Sequence, residues 1–171
     1  RVMVVEIMGR HTGWITVMAG IAGGADVVML PEYDLSVEEA CEILRRRQAG
    51  GKNFSIVAVS EGAKLLTREG EESMVTQSEA VDAFGNVKLG GVANLLAKEI
   101  ERRTGFETRA TVLGHIQRGG TPTAHDRVLA TRYGNKAAEM VLAGDFGQMA
   151  ALQGDAIVAV PLSVASTSAN L

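Results

Sequence analysis

The side chains able to do chemistry gather in one run, LGHIQRGGTPTAHDRVLATRYGNKAAEMVLAG, from Leu113 to Gly144. It opens at the end of an apolar stretch, Ala110 to Leu113, that reads as a strand. His115, Gln117 and Arg118 follow, then Gly119-Gly120, where the backbone can turn tightly. Thr121-Pro122-Thr123 reads as a helix start, with a hydroxyl to cap and a proline where a first-turn N–H is not missed. Val128, Leu129, Ala137, Met140 and Val141 supply apolar positions on helical segments, with an expected interruption near Gly134. A guanidinium binds phosphate through paired hydrogen bonds, and an imidazole adds a further donor. In parallel α/β sheets ligands sit at the carboxyl ends of strands. His-x-x-Arg-Gly-Gly at such an end therefore points to a phosphorylated ligand. The competing reading is a plain strand–loop–helix connection, and His115 alone would fit it as well.

Three further strands must position that run. Val2 to Ile7 is a nearly continuous apolar run, as in a buried parallel strand, followed by Met8-Gly9-Arg10-His11-Thr12-Gly13. Trp14 to Ala22 reads as an apolar helix ended by Gly23-Gly24, and Val27 to Leu30 as a strand closed by Pro31. Ser36-Val37-Glu38-Glu39 is a capping box for a helix carrying Val37, Ala40, Cys41, Ile43 and Leu44. Ser55 to Val59 is a third strand, followed by Ser60-Glu61-Gly62. Residues 63–90 read as a polar, irregular insertion with a short helix around 78–83. Gly91 to Thr104 is an amphipathic helix with Val92, Leu95, Leu96 and Ile100 on one face, stopped by Gly105, before a fourth strand from Thr108. Met149 to Leu152 and Ala156 to Val160, around Gly154-Asp155, read as a hairpin. Strands alternating with helices predict an α/β fold with a mainly parallel sheet. Arg10, Glu61, His115 and Arg118 then meet at one end of that sheet. Glu6, within a buried strand, reads as a structural carboxylate or an edge-exposed one.

Composition narrows the function classes. The net charge is −3, and the one dense basic run, Arg45-Arg46-Arg47, closes a helix and complements its dipole. Nucleic-acid binding is disfavoured. Cys41 is the single cysteine, which excludes an intrachain disulfide and favours a reducing, cytoplasmic setting. No apolar run is long enough to span a membrane. No glycine-rich stretch carries the Lys-Ser/Thr of a P-loop, and no dinucleotide fingerprint sits between a strand and a helix. His11, His115 and His125 lack zinc-ligand spacing, and no Gly-x-Ser-x-Gly elbow is present. The chain starts inside a strand, without methionine, and is expected to be part of a longer protein whose upstream part supplies further neighbours to the sheet.

Two motifs, VVEIMGRHTGW from Val4 to Trp14 and TRATVLGHIQRGGTPTAHDR from Thr108 to Arg127, resemble the bacterial 6-phosphofructokinases, and the likeness extends from Arg1 to about Val160. The insertion at 63–90 is similar to that of a longer subgroup with ATP- and pyrophosphate-using members. The resemblance implies phosphoryl transfer to O1 of fructose 6-phosphate, a homotetramer in the cytoplasm and magnesium held mainly by an absent half. It implies that Met8, Gly9, Arg10, Glu61, His115 and Arg118 bind the sugar phosphate, with Arg10 also stabilising the transition state. Arg1 and Arg109 match arginines that reach the sugar phosphate of a neighbouring subunit. Gly24, Asp26 and Lys52 match part of an effector site, while Gly50 stands where the family often has a second lysine. The family's donor loops, magnesium-binding acids and base aspartate lie in an N-terminal half that is not in this sequence.

The resemblance therefore divides the chain into a sugar-phosphate-binding core at 1–114, with the insertion, and helices and a hairpin at 115–171 that pack toward the donor domain. The fragment alone is expected to be inactive. The rival readings are a non-enzymatic sugar-phosphate-binding or regulatory module, and an oligomerisation module with a degenerate site.

Overall fold

The computed structural model describes residues 1–66, 72–73, 76–81, 87–89 and 91–166. In chain order the elements are β1 (Val2–Ile7), α1 (Trp14–Gly23), β2 (Val27–Met29), α2 (Val37–Ala49), β3 (Ser55–Ser60), β4 (Leu65–Leu66), β5 (Glu72–Ser73), β6 (Thr76–Val81) and β7 (Val87–Leu89). They continue with α3 (Val92–Thr104), β8 (Thr108–Val112), a 3₁₀ helix (Gly114–Arg118), α4 (Ala124–Ala143), β9 (Gln148–Gln153), β10 (Ala156–Pro161) and α5 (Ser163–Ser166). The chain forms two compact units, Arg1–Arg118 and Gly119–Leu171, so the 3₁₀ helix that follows the expected division at 114 belongs to the first.

The first unit is built on a four-stranded parallel sheet in the order β2-β3-β1-β8. β1 is flanked on both sides: Ile7 lies opposite Ser60 of β3, and Glu6 opposite Val112 of β8. Strand parity sorts the side chains between the faces. Val4, Val27, Met29, Val57 and Val59 join Val37, Ala40, Cys41 and Leu44 of α2 and Val92, Ala93, Leu96, Ala97 and Ile100 of α3 in one core. On the other face Gly20 brings α1 against Val28 and Ala58, where an added Cβ would lie 2.8 Å from Val28 Cγ2. The outer side of α1 carries exposed Trp14, Ile15, Met18 and Ile21. Burial raises the Cys41 thiol pKa above its ordinary value, in keeping with a packing role.

α2 begins at the predicted box: Ser36 accepts from the Glu39 backbone N–H while the Glu39 carboxylate accepts from Ser36 N. Its basic end is used twice. Arg47 bonds Asp26 at 2.6 Å, and Arg45 donates to the Arg103 carbonyl at 2.6 Å. Arg103 also pairs with Glu38 and Glu99, tying α2 to α3.

α3 has no side chain of its own at its N-cap, Gly91, whose φ of 86° suits glycine. The cap comes from the sheet. Glu6, 3% exposed and next to last in β1, accepts from Gly91 N at 3.1 Å and from Ala93 N at 3.0 Å. A carboxylate at a helix start satisfies orphan donors and meets the positive end of the dipole. That settles the role of Glu6 as structural. Leu95 is exposed, because the buried face of α3 runs through Ala93 and Ala97 instead.

Two expectations fail. The helix expected around 78–83 is a strand over its described part: β6 pairs antiparallel with β7, while 82–83 lie outside the described residues. Helical spacing cannot be told from strand spacing in so short a run. Nor does Gly134 break its helix, since α4 runs unbroken from Ala124 to Ala143. The twenty-residue hydrogen-bond ladder absorbs one glycine at about 1 kcal/mol.

In the second unit Thr123 caps α4, with Asp126 completing the box, and Pro122 stands just before it. Thr123 N–H and hydroxyl, both bonded to Asp126, hold that carboxyl below its ordinary pKa. β9 and β10 form the predicted hairpin around Gly154-Asp155. Among the described residues no helix is long and apolar enough to cross a membrane.

Replacing Glu6 by Ala leaves one buried and one partly buried N–H group without acceptors. It is expected to cost about 3 kcal/mol in urea denaturation, with a smaller loss for Glu6→Gln, which keeps one acceptor oxygen. A Glu6→Ala protein as stable as the parent would remove Glu6 as the anchor of α3.

Candidate functional site

Three adjacent strands, β3, β1 and β8, end on the same side of the sheet, and the segments that leave them shape one cavity. Its volume is about 700 Å³, and Met8, Gly9, Arg10, Thr12, Trp14, Ile15, Glu61, His115, Gln117 and Arg118 line it. Small-molecule sites span roughly 300–1,000 Å³.

The loop after β1 is set by backbone against backbone. Glu61 N donates to Ile7 O at 2.9 Å and Gly62 N to Gly9 O at 3.0 Å. A Cβ at Gly62 would lie 2.0 Å from the Arg10 carbonyl oxygen, so this approach requires glycine. A Cβ at Gly9 would lie 2.6 Å from Thr12 O. Behind Gly9, the buried Thr16 and Ser60 hydroxyls bond at 2.6 Å and join α1 to the end of β3. Glu32 holds the far side of the loop, accepting from Gly13 N at 2.7 Å.

His115 and Arg118 sit on the 3₁₀ helix rather than in an open loop. With three residues per turn, side chains at i and i+3 eclipse. His115 and Arg118 therefore share one face, Gly114 and Gln117 a second, and Ile116, 81% exposed, lies on the third. Gln117 accepts from Met8 N at 3.3 Å and donates to Gly114 O at 3.1 Å.

All six residues predicted for the sugar phosphate thus line one cavity: Met8, Gly9, Arg10, Glu61, His115 and Arg118. Two guanidiniums, an imidazole and one carboxylate share its lining. That set can bind a phosphate through the cations and accept from hydroxyls through Glu61. Thr12, Trp14, Ile15 and Gln117 line it too, without having been assigned to it. Trp14 and Ile15 read only as part of an apolar helix, and their exposure places them on its uncovered side. Gln117 stood between two assigned residues, which was the available signal.

Arg1 and Arg109 lie elsewhere. With Val2, Met3, Phe54 and Glu107 they line a cavity of about 390 Å³ at the amino ends of the strands. Both pair with Glu107, at 2.9 and 3.1 Å. The bond from Arg109 and the nearby charge of Arg1 hold the Glu107 carboxyl below its ordinary pKa. Asp26 is committed internally, accepting from Ile56 N at 3.0 Å in addition to its pairing with Arg47. Gly24 caps the end of α1, and Lys52 is exposed.

Magnesium finds no fitting acid set among the described residues, where no three His, Cys, Asp or Glu side chains come together. Glu61 is the one carboxylate among the residues lining the larger cavity.

The family model for phosphofructokinase matches residues 1–141. A pyrophosphate–fructose 6-phosphate 1-phosphotransferase of Streptomyces coelicolor is 51% identical over 97% of this chain and 47% of its own length. An ATP-dependent 6-phosphofructokinase of Mycobacterium bovis is 48% identical over 95% of this chain and 46% of its own. The crystal structure of Pichia pastoris phosphofructokinase in the T-state superposes with a TM-score of 0.73 and 34% identity, over 96% of this chain and 17% of that one. The chain spans about half the length of the curated relatives it matches. With strand-end cavity, motif order and sequence likeness in agreement, the chain belongs to the phosphofructokinase family.

Proposed function

We propose that this chain is the sugar-phosphate-binding part of a 6-phosphofructokinase that transfers a phosphoryl group from ATP or pyrophosphate to O1 of fructose 6-phosphate. The observation that carries this reading is the shared cavity: six residues predicted from three separate segments line it together. His115 and Arg118 bind the 6-phosphate, the Met8-Gly9 backbone and Glu61 hold the sugar, and Arg10 meets charge that develops on the transferring group. The reaction then depends on positioning and electrostatic stabilisation. Magnesium, held by residues outside this chain, would neutralise donor charge. The donor loops and the base also lie outside it, on a domain toward which the second unit packs. Relatives of both donor types match, a pyrophosphate-using one at 51% identity and an ATP-using one at 48%, and the residues that choose between donors lie outside this chain.

The same reading makes the enzyme a cytoplasmic homotetramer. Arg1 and Arg109, at the amino ends of the strands, serve the sugar phosphate of a neighbouring subunit. Gly24, Asp26 and Lys52 form the remnant of an effector site, where Asp26 would exchange Arg47 for the effector's metal.

In the full-length enzyme, His115→Ala or Arg118→Ala is expected to raise the fructose 6-phosphate KM about tenfold, with donor KM little changed, since a charged hydrogen bond is worth ~1.5–3 kcal/mol. In the same assay Arg10→Ser should lower kcat more than it raises KM. An unchanged sugar KM in both Ala variants would end the site assignment. Co-assembled Arg109→Ala and Arg118→Ala subunits should regain part of the activity through mixed interfaces; verified hetero-oligomers with none would return Arg109 to its own subunit. The 171-residue chain alone should bind fructose 6-phosphate weakly and form no fructose 1,6-bisphosphate with magnesium and either donor. Turnover near that of a full enzyme would contradict the placement of base and donor site outside it.

A further inference from the structure

The two halves of the cavity come from segments more than a hundred residues apart, the loop after β1 and the 3₁₀ helix after β8. A ligand carrying a phosphate at one end and hydroxyls at the other is bound well only if those halves keep a fixed separation. Gln117 joins them. Its Oε1 accepts from Met8 N, the first backbone N–H after β1, and its Nε2 donates to Gly114 O within its own helix. The two partners, one a donor and one an acceptor, fix the orientation of the amide. The eclipsed geometry keeps Gln117 on a different face from His115 and Arg118, so an amide docked on Met8 sets how far the helix as a unit stands from the loop after β1.

We propose that Gln117 is a positioning residue: it fixes the spacing between Met8–Arg10 and the His115/Arg118 pair, so that the sugar and the phosphate of one ligand are met together. The inference rests on the sugar-phosphate reading of the site. It assigns Gln117 no contact with the reacting atoms. Its loss should leave each half able to bind and weaken only ligands that engage both.

The test is calorimetric titration of the full-length protein with fructose 6-phosphate, paired with competition by methyl phosphate, a phosphomonoester without a sugar. Gln117→Met keeps the length of the side chain and removes both hydrogen bonds. It is expected to weaken fructose 6-phosphate about three- to tenfold, the worth of a lost hydrogen bond, while methyl phosphate changes less than about twofold. Gln117→Asn, one methylene short of spanning both partners, should behave alike and stands in if the Met variant does not fold. Unchanged fructose 6-phosphate binding, or equal weakening of both ligands, overturns the proposal. Arg118→Ala, run in parallel, separates the two levels. If it weakens fructose 6-phosphate while Gln117→Met does not, only the positioning role fails. If Arg118→Ala has no effect, the reading of the site fails with it.

Discussion

A buried carboxylate in the central strand holds the first unit together. Glu6 reaches from β1 to two backbone N–H groups at the start of α3, a helix that brings no capping side chain of its own. The arrangement suits both partners. The helix start needs an acceptor, and a carboxylate this deep needs donors to offset its lost hydration. Its position along the chain matters as much. Ile7 and Met8 follow directly, so the anchor that fixes α3 on the sheet also fixes the point where the site loop departs. Glu6 O additionally accepts from Leu113 N, at the last step before the 3₁₀ helix. One residue therefore ties α3 to the sheet and joins β1 to the end of β8, the two strands whose outgoing segments supply most of the cavity lining.

From that anchor the site is assembled largely by the backbone. Gly62 lies against Arg10, Gly9 against Thr12, and Gly13 is held by Glu32. These contacts are too close for side chains, so the loop after β1 has little freedom before any ligand arrives. Preorganisation of this kind lowers the ordering cost of binding. The charged groups are then presented by elements of limited freedom: Glu61 from a turn hydrogen-bonded to β1, His115 and Arg118 from a single eclipsed face.

The opposite end of the sheet has another character. Arg1 and Arg109 converge on Glu107 in an exposed group, with Phe54 beside them. Exposed ion pairs add little to stability. Two guanidiniums sharing one carboxylate leave a net positive charge there.

The sequence by itself determined the alternation of strands and helices, the capping box at Ser36, a helix start within Thr121–Thr123, the glycine stops, the hairpin around Gly154-Asp155 and the meeting of Arg10, Glu61, His115 and Arg118 at one sheet end, to which the family resemblance added Met8 and Gly9. These are local or period-based signals: an apolar run, a hydroxyl three residues before an acid, a polar motif at a strand end. It could not determine what depends on distant partners. Glu6 remained ambiguous because its donors, Gly91 and Ala93, lie some 85 residues away. Residues 78–81 could be a helix or a strand until β7 paired with them, and Gly134 could have ended a helix until the ladder around it proved continuous. Trp14 and Ile15 could be placed only in an apolar helix, because hydrophobicity does not reveal which face of a helix is covered. The tertiary structure also decided the link from Gln117 to Met8, since a side-chain amide chooses its partners only after two remote segments have been brought to the same end of one sheet.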